Sequence, residues 1–481
     1  MRTDVPTLAD VYRTAGYRTG LFGKWHNGSQ PPYHPNFRGF DTFYGFASGH
    51  WAHYFNPELE RNGEWVRGSG YLPDDLTDKT MEFMHAAGDQ PFLAVLSFNT
   101  PHSPMQVPDT YWQRMANRDL RMRHRDPDKE DPQFTRAALA MVENIDWNVG
   151  RLMDHLETSG KARNTLVVYL SDNGPNSYRW NGGMKGRKGA TDEGGVRSPF
   201  LIRWPGKIPA GKRIDYLAGS IDLLPTLAGL TRTVLHDSIA PEGEDISEIL
   251  TGTASGERTG VLYQHWGNRT SLRTQHYRVD AEGALFDMRS DPGQATDLSD
   301  TLPAVRDSLD ALRLAWHRQL ARPVGRPFTV GYPGAGATAL PSRDAELTPP
   351  VERSNRYPNA TYLSGWSAGS GMASWPITVY REGDYGITLY FAGGATGPEG
   401  LVVWTSRDSL IGTLPPGIPI RPYGAQEDRV PRIESYAMDF EPWYLGTLHL
   451  KNGTDTLRLR FDLPPPVSGL AVQRLVLHHP E

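Results

Sequence analysis

The sequence predicts an α/β fold around a mostly parallel sheet, followed by a small α+β unit and an appended all-β sandwich. Three observations carry that expectation. Continuous apolar runs at residues 19–22, 91–98 and 165–170 alternate with helical patterns, which marks strands buried on both faces. From about residue 356 the texture changes to short alternating strands, at 377–380, 386–391, 401–404, 445–450, 456–461 and 475–477. Turns such as Lys451-Asn452-Gly453-Thr454 separate them. The 50 glycines and 39 prolines favour loops and β-structure over long bundles, and 481 residues suffice for two or three domains.

In chain order, residues 7–15 form a short helix with Leu8, Val11, Tyr12 and Ala15 on one face and Gly16 as its stop. The strand at 19–22 opens into Gly23-Lys24-Trp25-His26-Asn27-Gly28. The strand at 91–98 ends in Asn99-Thr100-Pro101-His102-Ser103-Pro104. A helix over roughly 134–159 presents the stripe Leu139, Val142, Ile145, Val149, Leu152 and Leu156, and Gly160 ends it. The strand at 165–170 runs into Ser171-Asp172-Asn173-Gly174, a Gly- and Lys-rich loop, and a second apolar run at 199–204. Ligands in open α/β sheets bind beyond the carboxyl ends of strands, so Lys24 with His26, His102, and Asp172 with Asn173 are expected to meet at one edge of one sheet. Residues 258–322 read as the α+β unit, with strands near 261–264, 275–279 and 284–288 and a closing helix at 304–320. Residues 323–355, rich in Pro, Gly, Ala and Thr, read as a linker. Residues 356–481 are the sandwich, jelly-roll-like.

The chemistry of these turns is specific. Carboxylate and amide oxygens at a strand end suit a hard cation. Lysines on a glycine loop suit an oxyanion. Together they describe a divalent metal beside a sulfate or phosphate ester. Asp172-Asn173 could be a plain turn, but the stretch Lys188 to Arg197 behind it favours ligation. Lys185 competes with Lys188 for the oxyanion. His50, Trp51 and His53 could line a sugar subsite or simply pack a loop. Trp366, Trp375, Trp404 and Trp443 fit a sandwich core. The charged run 114–131 mixes signs and fits a solvated surface. A net charge of −5 gives no nucleic-acid footprint, and no apolar run reaches the roughly 18 residues of a membrane span. The complete lack of cysteine excludes disulfides and thiolate metal sites.

Gly16-Tyr17-Arg18-Thr19, Gly23-Lys24-Trp25-His26-Asn27-Gly28, Pro101-His102-Ser103-Pro104, Ser171-Asp172-Asn173-Gly174 and Lys188-Gly189 … Glu193-Gly194-Gly195-Val196-Arg197 resemble the formylglycine-dependent sulfatases, in that family's order and spacing. The resemblance covers roughly residues 1–320 and implies an alkaline-phosphatase-like α/β fold. Residues 1–257 would be the catalytic domain, and 258–322, with Asp291-Pro292-Gly293, its closing subdomain. It implies that Asp172 and Asn173 ligate Ca²⁺ or Mg²⁺. Lys24, His102 and Lys188 would contact the sulfate oxygens, and His102 would also protonate the leaving alcohol. His26 would sit against the hydrated aldehyde. Lys185 and His50 are further substrate-binding candidates, and Glu193 with its glycines shapes the loop. The implied substrate is a sulfated carbohydrate or aryl sulfate ester, and the family's usual placement implies a periplasmic or secreted protein.

The family's nucleophile is a Cys or Ser in Cys/Ser-x-Pro-Ser-Arg, upstream of Gly16, with an Asp-Asp pair further upstream. Ala339-Leu340-Pro341-Ser342-Arg343 has alanine at the nucleophile position and lies on the wrong side of the other motifs. The expectation is therefore an N-terminally truncated sulfatase, inactive as it stands. The rivals are a phosphodiesterase or phosphonate monoester hydrolase of the same superfamily, and a non-catalytic binder of sulfated glycans.

Overall fold

The computed structural model describes residues 2–479 except 50, 52, 237–238, 321–324, 358–359, 368–369, 395–398 and 463–468. The chain divides into two units, residues 1–109 with 324–481, and residues 110–323.

The first unit begins with α1 (Leu8–Thr14), closed at its start by a capping box between Thr7 and Asp10. Next come β1 (Arg18–Lys24), β2 (Thr42–Phe46), β3 (Glu58–Arg61), β4 (Glu64–Arg67), α2 (Leu72–Ala86) and β5 (Phe92–Ser97). They build a mixed sheet in the order β4-β3-β2-β1-β5, in which β1 runs parallel to both neighbours. Leu76 and Phe83 of α2 pack on β1. Gly23 pairs with both Gly45 and Ser97. A Cβ on Gly23 would lie 2.2 Å from the Ser97 carbonyl oxygen, and one on Gly45 would lie 2.0 Å from that of Gly23. Only glycine permits strand ends this close. The pairing brings the segments after β1 and β5 to the same edge. Although its sequence reads as fully buried, β5 is half-buried along its whole length, because it is the outer strand of this sheet.

The second unit follows α3 (Asp109–Ala116) with α4 (Pro132–Thr158), β6 (Val167–Leu170), α5 (Glu193–Val196), β7 (Phe200–Arg203), α6 (Leu223–Thr231) and α7 (Ser247–Thr251). The expected stripe of α4 is corrected. Leu139 and Val142 are exposed, and the buried face is Ala138, Met141, Asn144, Ile145, Asn148 and Leu156. Alanines allow close approach, and Asn148 satisfies its amide on Asn144. A second correction concerns β6. Among the described residues it pairs only with β7, antiparallel, and is not a strand of the β1–β5 sheet. The unit then forms an antiparallel sheet from β8 (Leu262–Trp266), β9 (Arg269–Arg273), β10 (Tyr277–Val279) and β11 (Leu285–Asp287) in sequential order, with α8 (Pro303–Gln319) packed against β9 and β10. Strand β9, rich in arginine, carries no apolar alternation and was not foreseen.

The expected linker is also corrected. Residues 328–353 supply β12 (Phe328–Val330), β13 (Ala337–Pro341), β14 (Glu346–Thr348) and β15 (Glu352–Arg353). These join β16 (Leu363–Ser364), β17 (Met372–Val379), β18 (Gly383–Ala392), β19 (Glu399–Trp404), β20 (Ser409–Leu414), β21 (Glu441–Leu450), β22 (Gly453–Asp462) and β23 (Ala471–His478). Among the described residues these make two six-stranded sheets, and β13 lies against β23 over five residue pairs. Pairing with a long central strand makes strands of short segments that carry no pattern of their own. Trp366 and Trp375 are buried in the core between the sheets, whereas Trp443 is exposed. Ala339-Leu340-Pro341-Ser342-Arg343 lies here, with the buried Ser342 hydroxyl donating to the Val472 carbonyl.

Candidate active site

In the first unit, Lys24 is the last residue of β1, and His26 follows in an exposed turn with φ +93°. A positive φ on a non-glycine residue costs on the order of 1 kcal/mol and is held only where its surroundings demand it. The His26 ring lies directly on Gly49, where a Cβ would come within 2.0 Å of it. Trp25, with its amide nitrogen on the Phe46 carbonyl and its indole on that of Tyr33, anchors the turn.

Past β5, His102 is half-buried. Its backbone N–H donates to Asn99 O at 2.9 Å, and Tyr54 donates its hydroxyl to His102 O at 2.8 Å. His102 Nδ1 lies 2.8 Å from the Ser103 carbonyl. A carbonyl only accepts, so Nδ1 carries hydrogen and any proton exchanged with a substrate moves through Nε2. Ser103 Oγ donates to Glu434 Oε1 at 2.7 Å, so a segment between β20 and β21 supports this loop. That segment is knitted to it further. The buried Gln106 amide donates to Gly424 O and Asp428 Oδ1, each at 2.9 Å, and Arg429 donates to the carbonyls of Met105 and Val107. Sequence reasoning missed Asn99 and Thr100, whose buried Oδ1 and Oγ1 have no hydrogen-bond partner. Such atoms at a strand end call for a ligand, ion or water. The signal available was their place between β5 and His102.

In the second unit, Asp172 and Asn173 occupy the turn after β6, and Asn173 Nδ2 donates to Asp172 Oδ1. Backbone bonds clasp the lysine loop to this turn. Gly174 N donates to Gly195 O at 2.9 Å, Lys188 N to Pro175 O at 2.9 Å, and Gly194 N to Lys185 O at 2.8 Å. A Cβ on Gly174 would meet Gly194 O at 1.9 Å, so glycine is required there. Lys188 thus shares one loop cluster with Asp172 and Asn173 and forms no ion pair among the described residues. Lys185 instead pairs with Asp280 at 2.8 Å and Asp192 at 3.4 Å. Burial pushes the Lys185 ammonium pKa down, the two carboxylates push it up, and the carboxylates prevail. Its charge is already matched, which weakens its candidacy as a sulfate ligand.

Glu193 fastens the loop. Its buried carboxylate accepts from Arg278 at 2.8 Å and lies 3.7 Å from Arg273, while its N–H donates to Gln294. Burial, only partly offset by Glu193, lowers the Arg273 pKa to about 10.

The structure brings Lys24 and His26 to the same sheet edge as His102, and Asp172 and Asn173 into one loop cluster with Lys188. His50 lies outside the described residues. Asp172 and Asn173 are hard-oxygen donors of the kind Ca²⁺ or Mg²⁺ takes, two of the six to eight that Ca²⁺ needs. No cluster of three or more His, Asp or Glu side chains gathers as a metal nest among the described residues.

Residues 2–233 match the family model named Sulfatase. The uncharacterized sulfatase YdeN of Escherichia coli is 30% identical over 304 residues, covering 55% of this chain and 51% of its own length. Human arylsulfatase A is 30% identical over 290 residues, covering 53% of each. The crystal structure of Ps i-CgsB in complex with k-i-k-neocarrahexaose superposes with a TM-score of 0.58 at 27% identity, over 66% of this chain and 75% of that one. Over its first half the chain is similar to the sulfatase family, and its fold there is alkaline-phosphatase-like. It spans about half the length of the curated relatives it matches. The family uses a metal ion and formylglycine.

Proposed function

We propose that this protein acts as a sulfuric ester hydrolase on sulfated glycans. The observation that carries the reading is the pairing of Lys188 with Asp172-Asn173 in one glycine-clasped cluster, beside the ordered family motifs. In this reading a Ca²⁺ or Mg²⁺ ion held by Asp172 and Asn173 would supply positive charge, and the family's formylglycine, for which this sequence shows no precursor, would supply the nucleophile. Lys24 and Lys188 neutralise charge growing on the sulfate oxygens. His102, its tautomer set by the Ser103 carbonyl, delivers a proton from Nε2 to the leaving alkoxide. His26 would face the group that supplies the nucleophile. The neocarrahexaose held by a similar structure supports a glycan over a small aryl ester.

A second reading rests on a specific observation. The chain has no cysteine, and its single Pro-Ser-Arg sequence follows alanine and leucine. A sulfated-glycan binder without turnover fits that composition. Protein purified from its native host, assayed on 4-nitrophenyl sulfate and bis(4-nitrophenyl) phosphate, separates these readings. Faster sulfate hydrolysis supports the sulfatase. Preference for the diester places it among the phosphodiesterases, and binding without turnover of either favours the second reading.

A further inference from the structure

The β-sandwich carries an open depression of about 530 Å³ lined by Arg343, Arg353, Asn355, Arg356 and Tyr357. Its charge is one-sided. Arg343 lies 3.3 Å from the partly exposed Asp344, whereas Arg353 and Arg356 form no ion pair among the described residues. Backbone carbonyls hold Arg353 in place, that of Arg343 at 3.0 Å and that of Ala345. Arg356 lies over the Tyr357 ring, 4.8 Å from its centroid, and donates to its hydroxyl. Three guanidinium groups beside an aromatic ring match an anionic sugar. The guanidinium fork takes two oxygens of a sulfate, and a phenol ring offers a flat apolar surface to a pyranose.

The depression is joined to the His102 loop through one short segment. Ser435 Oγ accepts from Asn355 Nδ2 at 2.5 Å and meets Ser354 Oγ at 2.7 Å. The preceding residue, Glu434, accepts from Ser103 Oγ. Adjacent residues of one strap therefore touch both sites, and consecutive Cα atoms are only about 3.8 Å apart.

We propose that this depression is a subsite for a second sulfate group of a glycan chain whose reacting ester lies at His102. The sandwich then selects multiply sulfated oligosaccharides instead of acting as a detached module. This rests on the sulfate-ester reading of the His102 site.

Calorimetric titration of the 481-residue protein with galactose 4-sulfate, neocarrahexaose, a heparin hexasaccharide and the desulfated hexasaccharides tests it. At least one sulfated hexasaccharide should bind about tenfold tighter than the monosulfated sugar, and its desulfated counterpart should lose that gain. Arg356→Ala, at an unchanged thermal midpoint, should reduce the ratio of hexasaccharide to monosaccharide affinity about tenfold, with Arg356→Lys between. His102→Ala should instead weaken the monosulfated sugar. An Arg356→Ala ratio equal to wild type for both hexasaccharides, or equal binding of inorganic polyphosphate, would overturn the subsite. Arg356-dependent hexasaccharide binding with no monosulfate binding would leave the subsite standing and sink the functional reading.

Discussion

At the scale of single residues, charge already matched separates Lys188 from Lys185. Lys185 sits between Asp280 and Asp192, and Lys188 is held through its backbone and forms no ion pair among the described residues. Lys188→Ala should weaken sulfate-ester binding about ten- to hundredfold, since a hydrogen bond to a charged group contributes roughly 1.5–3 kcal/mol. Lys185→Ala should instead lower stability and change sulfate affinity little; titration calorimetry with thermal melts reads both. Glu193 is the opposite kind of residue. Removing its carboxylate strands the buried Arg278 and Arg273, so Glu193→Ala should destabilise by about 3–5 kcal/mol in urea unfolding. The sequence showed Glu193 beside two glycines and suggested a shaping role. Its arginine partners lie some 80 residues away, Arg273 on a strand without an apolar signature, and a pairing at that distance could not be read in advance.

At the scale of elements, the strap over residues 421–439 holds the His102 loop, and it encloses His53. Burial lowers the His53 pKa; Glu427 and Asp428 oppose this and Arg432 adds to it. The folded protein therefore binds this proton less readily than the unfolded chain. Stability is fully present above the ordinary value near 6.5 and falls as the pH drops from there through the folded pKa. His53→Gln should flatten that slope relative to wild type in urea titrations across pH 5–7.5, and an unchanged difference at every pH would contradict it. The elements themselves were largely legible. Strands β1 and β5 and the long sandwich strands follow their apolar runs, and helices α1 and α8 lie where they are expected, although Ala15 and Leu312 are exposed. The failures share one cause, because pairing and packing are set by partners distant in sequence. Strand β6 reads as a buried strand yet, among the described residues, pairs with β7 alone, and Leu170, Phe200 and Leu201 are exposed. Residues 328–353 read as linker and are strands because β17, β16 and β23 receive them.

At the scale of the whole molecule, the chain combines the side chains proposed to take the sulfate ester with a sequence that contains no cysteine. The protein should bind sulfate esters, and alanine at Lys24, His102 or Lys188 should each weaken that binding; affinity indifferent to all three would contradict the assignment. The motifs were legible because glycines at close approaches, such as Gly23 and Gly174, tie the chemistry to fixed local sequence. The contribution of the sandwich to the His102 loop was not, since it runs through contacts such as Ser103 with Glu434 that no local pattern announces. The most direct test of the central claim is calorimetric titration of this protein, wild type and Lys188→Ala, with 4-nitrophenyl sulfate and bis(4-nitrophenyl) phosphate. The account predicts saturable binding of the sulfate ester, weaker binding of the diester, and loss of sulfate affinity in the variant. Equal binding of both esters, or sulfate affinity indifferent to Lys188, would contradict it.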